Sequence, residues 1–205
     1  MLSLVRQTLD AWWRELIPLT LLNAVWLGLQ FLIIPAAPAT AAFYVVAGSV
    51  SAGDDASWRE FWQGFRRYFW KAISWGLLQV AIYFIGAFNF IYYNDETGPL
   101  WGTVKLVWGA FLVVWSVLQV LFWPLLLEAE DQSLRNTLRN ALVMLWLNPL
   151  FVLAMAALTV FVLVACVFTG VLAGLVMMPL VTLLGTFAVK DRLQAFRSAQ
   201  KRHKR

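Results

Sequence analysis

Nearly uninterrupted apolar runs of about 20 residues recur along this chain, and they leave few architectures open. A helix rising 1.5 Å per residue needs about that many apolar residues to cross roughly 30 Å of hydrocarbon. Barrel strands would instead alternate polar and apolar positions, and these runs do not alternate. The composition agrees: 61% of the 205 residues are hydrophobic and only 13% charged, against about 45–50% apolar in a soluble domain. The chain therefore reads as an all-α, polytopic transmembrane helical bundle of about six membrane helices, the second one short, with one or two interfacial amphipathic helices. Residues 1–189 form a single membrane domain and 190–205 a basic cytoplasmic tail.

Met1 to Arg14 is a polar-aromatic lead whose Trp12 and Trp13 suit the headgroup layer. The first membrane helix runs from about Trp12 to Ile34, with Asn23 and Gln30 as uncharged polar residues inside it. Pro35 and Pro38 interrupt it, because proline removes a backbone donor and disfavours helical geometry at the preceding residue. A short second helix follows to about Ser51, rich in alanine for close packing, and is either a packed short span or a re-entrant half-helix. After Gly53-Asp54-Asp55, the sequence Ser57-Trp58-Arg59-Glu60 fits a capping box that opens an amphipathic helix. Trp58, Phe61, Trp62, Phe65, Tyr68 and Phe69 fall on one side of it; Arg59, Glu60, Gln63, Arg66 and Arg67 fall on the other, suiting the membrane surface. Further spans are expected from Lys71 to about Tyr93, Trp101 to Leu127, Pro149 to Val167 and Val171 to Val189, with a second surface helix across Glu128 to Asn148. The tail has the composition of a disordered segment.

Basic residues in so apolar a chain are a topology signal before they are a nucleic-acid signal, so the net charge of +5 does not point to DNA or RNA. Six crossings with both termini inside leave Lys105 as the single Lys or Arg on the outer side. The Ala39-Thr40-Ala41 triplet resembles a signal-peptidase site, but the apolar run before it exceeds the usual 7–15 residues and Pro38 adjoins it, so it is expected to stay uncut.

Two groups of residues are candidates for function. The first is the helix break: Pro35, Pro38, Thr40, Asn23 and Gln30 mark either a tight packed turn or a polar substrate route, since half-helix N-termini offer free N–H groups. The second is a lipid- or partner-facing surface of Arg59, Trp62, Arg66, Arg67, Glu128, Arg135 and Arg139. No catalytic constellation is apparent: His203 lies in the tail, Cys166 lies in an apolar run, and no Gly-rich phosphate loop occurs. No cofactor or metal is expected, and the chain is expected not to be an enzyme.

PATAAFYVV, a polar turn and WREFWQGFRRYFWKAISWGLL, followed later by LFWPLLLEAEDQSLRNTLRNALVMLWLNP, resemble the YesL family of small bacterial membrane proteins. The resemblance implies a multi-pass protein of the bacterial cytoplasmic membrane. It also implies association with carbohydrate uptake systems of the ABC type, whose permease or ATPase subunits would be the partners beside the lipid bilayer. It brings no established activity and no catalytic residues. Glu128-Ala129-Glu130 is a poor copy of the EAA motif with which ABC permeases engage their ATPase.

Overall fold

The computed structural model describes residues 1–93 and 98–203, with side chains described except at 99, 171–175 and 199–203. All regular structure among the described residues is helical: α1 Leu2–Arg14, α2 Leu16–Gln30, α3 Ala36–Ala52, α4 Trp58–Tyr92, α5 Pro99–Glu128, α6 Leu134–Leu147, α7 Pro149–Thr169 and α8 Val171–His203. Among them α4, α5 and α7 are long and apolar enough to cross a membrane, while α2 and α3 are shorter apolar helices. The acidic turn expected around Asp95 and Glu96 lies outside the described residues.

The expected first span is broken at Glu15 and stops at Gln30. Pro18 explains the break, because it has no N–H to give the Arg14 carbonyl and its ring would clash there; in the first turn of α2 it does no harm. Phe31 to Ile34 form an exposed apolar turn. Ile33 adopts φ 37° in it, a left-handed conformation that a β-branched residue takes only under strain. Ile33→Asn should therefore raise stability by about 1 kcal/mol, seen as a higher unfolding midpoint in detergent.

The short helix α3 is the centre of the molecule. Ala39, Ala41, Ala42, Phe43, Val46 and Ala47 have no solvent exposure, and α2, α4, α5 and α8 all pack around it. Its small residues allow this as expected, with one exchange of roles. Gly48 has open space where a Cβ would lie, whereas on α4 a Cβ at Gly64 would meet Val45 Cβ at 3.0 Å and Ala42 Cα at 3.3 Å. The closest backbone approach to α3 is thus made by a glycine of the neighbouring helix. α3 ends at Gly53, whose φ of 103° suits glycine, with Asp54 N–H donating to Ser49 O and Gly53 N–H to Val50 O, both at 3.1 Å.

The aromatic-basic segment is not a separate surface helix. It is the first part of α4, one helix of 35 residues and about 52 Å, since no proline interrupts the stretch from Trp58 to Tyr92. Ser57 Oγ accepts from Arg59 N–H at 3.2 Å, but Glu60 makes no return bond, so only half of the expected capping box forms. The face of α4 turned to α3 carries Phe61, Gly64, Tyr68, Ala72 and Trp75. Trp75 stacks on Phe122 of α5 with ring centres 3.5 Å apart, and Trp58, Trp62 and Trp70 point outward.

The expected surface helix from Glu128 shortens to α6. Glu128 ends α5, and Ala129 to Ser133 form a connection in which Gln132 has φ 45°. The tail, expected to lack structure, continues α8 as helix to His203. One residue before Pro179 of α8, Met178 N–H donates to Asn23 Oδ1 at 3.2 Å, and Asn23 is fully buried. Asn23→Leu should cost about 1 kcal/mol in denaturant unfolding, because it removes that buried hydrogen bond between α2 and α8.

Candidate functional site

The helix-break candidates meet at the start of α3, and their polar atoms are occupied with one another. Trp26 Nε1–H donates to Thr40 Oγ1 at 3.0 Å, and Thr40 donates in turn to Ala36 O at 3.1 Å. Gln30 Nε2 donates to Ala36 O at 3.3 Å and Trp26 O at 3.4 Å. Pro35 is the N-cap residue of α3 and Pro38 lies in its first turn. Asn23 is one to two turns earlier in α2, facing α8. Gln119 bonds Gln79 and the Trp115 carbonyl between α4 and α5, away from this group.

At the opposite end of α3 lies an open basin of about 850 Å³. The C-terminal turn of α3 contributes Gly48, Ser49 and Ala52, and Asp54 follows. The first part of α4 contributes Glu60, Gln63, Arg66, Arg67 and Tyr68; α5 contributes Leu127 and Glu128, the connection Gln132, and α8 Lys190. Charged groups distant in sequence converge here because α3 ends inside the ring formed by the other helices, where its last carbonyls need donors. Lys190 Nζ supplies them, at 3.0 Å from Gly48 O and 2.6 Å from Ser51 Oγ, with Glu128 Oε1 at 3.8 Å. Arg14 Nη2 donates to Val50 O at 3.3 Å from the other side. Glu15, only 6% exposed, accepts from Ala56 N–H at 3.1 Å and so holds the connection into α4.

On the α4 wall, Lys71 Nζ donates to Gln132 O at 2.9 Å and Arg67 to Gln132 Oε1 at 3.4 Å, while Arg67 and Lys71 both lie over the Tyr68 ring. Of the surface candidates, Arg66, Arg67 and Glu128 therefore share the basin. Arg59, Arg135 and Arg139 are exposed outside it, as is Trp62. Arg139 lines a separate polar hollow with Glu130, Asp131 and Asn136. There, the Asn136 amide and then the Ser133 N–H hold the Asp131 carboxyl below its usual range.

Sequence reasoning missed Asp54, Glu60, Gln63, Tyr68, Gln132 and Lys190 as parts of one site. The one available signal was Lys190, placed where an apolar span gives way to charge. No group of three or more His, Cys, Asp or Glu side chains able to hold a metal occurs among the described residues. The basin offers hydrogen bonds and charges of both signs.

No curated protein and no solved structure matches the chain. One family model does match, over residues 19–90, a stretch that takes in α2, α3 and most of α4 and so both the helix break and the α4 wall of the basin. Over those residues the chain carries the pattern of an uncharacterised family, described as Protein of unknown function, DUF624.

Proposed function

We propose that this chain is a non-enzymatic accessory component of the bacterial cytoplasmic membrane. It crosses six times with both termini inside and works with an ABC-type carbohydrate uptake system, as the resemblance to the YesL family implies. The observation that carries the accessory role is the gathering of charge from the turn after α3 and from α4, α5 and α8 around one open basin, with Arg59, Arg135 and Arg139 exposed beyond it. That is a face suited to meeting a partner. The alternative, a polar route past Thr40, has less support because the Thr40, Gln30 and Trp26 polar atoms are already bonded to one another.

Pull-down of tagged protein in mild detergent should recover permease or ATPase subunits, and deletion should reduce sugar uptake; recovery of neither subunit with unchanged uptake refutes the role. Orientation is tested separately with cysteines placed at Asp54, Asp95, Gln132 and Ser198. Only the cysteine at position 95 should react with an impermeant reagent added outside intact cells.

A further inference from the structure

Six charged side chains line the basin, and they divide into two classes. Lys190 and Glu128 face each other, and Lys190 also serves the end of α3. Asp54, Glu60, Arg66 and Arg67 do not neutralise one another: among the described residues no ion pair joins either acid to either arginine. Arg66 has no hydrogen-bond partner there, and Arg67 makes one long bond to Gln132. Glu60 Oε2 is shut away from solvent with no hydrogen-bond partner, a costly state for a carboxylate oxygen. Opposite charges facing one open volume without meeting are complementary to a ligand that carries both signs.

Position narrows the ligand. Glu60, Gln63, Gly64 and Arg67 recur at helical spacing along one side of α4, so acid and guanidinium are separated by about 10 Å along the axis. Phe61, Trp62, Phe65, Phe69 and Trp70 form a chain of ring contacts on the same part of α4, and exposed Trp58, Trp62 and Trp70 belong at headgroup depth. Val45, Ala52 and Leu127 add apolar surface to the basin lining. We propose that the basin binds the headgroup of an aminophospholipid, with the primary amine at Glu60 and Asp54 and the phosphodiester at Arg66 and Arg67. Arginine suits the phosphate because its planar fork donates in pairs. The site does not depend on a transport partner.

The test uses the full chain in nanodiscs containing equal parts of phosphatidylethanolamine, phosphatidylglycerol and phosphatidylcholine, released for native mass spectrometry. Phosphatidylethanolamine should be retained about tenfold over the other two, since one lacks the amine and the other lacks its N–H donors. Glu60→Gln, and separately the exposed Asp54→Asn, should reduce that preference; Arg66→Gln with Arg67→Gln should reduce retention of all three lipids. Glu130→Gln, outside the basin, should change nothing. Each variant's unfolding midpoint is recorded, so that loss of fold is not mistaken for loss of binding. Equal retention of the three lipids, or an unchanged preference in folded Glu60→Gln and Asp54→Asn, overturns the proposal. Binding of free phosphoethanolamine by the detergent-purified protein, without lipid retention, overturns the lipid as the source of that chemistry.

Discussion

Gly64→Val should destabilise the protein by about 3 kcal/mol, the upper end of what overpacking a tight interior costs. The new Cβ alone would lie 3.0 Å from Val45 Cβ and Cγ2 and 3.3 Å from Ala42 Cα. The last of these is backbone in the middle of α3 and cannot rotate away. Relief requires α4 to move off the helix on which the bundle is built, loosening the Phe43 and Phe61 edge-to-face contact at 6.4 Å as well. Thermal unfolding in detergent measures the loss. Gly48→Ala is the matched control: nothing lies within 4 Å of the added methyl, so a gain of up to about 1 kcal/mol is expected from the lower chain entropy of alanine. Equal losses at the two positions would contradict the packing described for α3.

Lys190→Met should cost about 2–3 kcal/mol, since it removes charge-assisted donors from Gly48 O and Ser51 Oγ and leaves Glu128 without its cation. The two side chains are 24% and 30% exposed, which screens the ion pair and keeps the figure below that of a fully buried one. Glu128→Gln separates the contributions. It leaves both bonds to α3 intact and removes a pair only 3.8 Å apart, so its loss should stay below about 1 kcal/mol. Amide exchange around Gly48 to Gly53 should accelerate in Lys190→Met and hardly change in Glu128→Gln. The reverse order would mean that the ion pair, and not the capping of α3, is what Lys190 contributes.

Helical class, apolar runs and the breaks at prolines were legible because each follows from local chemistry. Pro35 caps the start of α3 and Pro38 sits in its first turn for reasons contained in a few residues. The continuity of α4 was not legible, because an amphipathic segment followed by an apolar one looks the same whether or not the helix bends at Lys71. Nor was the basin. Lys190 is 142 residues from Gly48 and 62 from Glu128, and nothing in either neighbourhood announces the other. Phe61 and Trp62 look alike in an aromatic run, yet one is fully buried and the other 40% exposed, a difference set by where α3 lies. The residues of the break lie close together in the fold, but whether their hydrogen bonds point inward or toward a ligand is decided by Trp26, whose indole sequence reasoning had no cause to single out.

The unbroken course of α4 has a mechanical consequence. Its later, apolar part from Ala72 to Tyr92 is about 31 Å long, close to one hydrocarbon thickness, while the preceding part carries the Gly64 contact and the arginines. A rod without a joint cannot adjust its two ends independently. In a bilayer thinner than this span the apolar part tilts to match, and the arginine-bearing end swings with it, carrying α3 along through the close fit at Gly64. Bilayer thickness and the posture of the charged end are thereby geared together through a single helix.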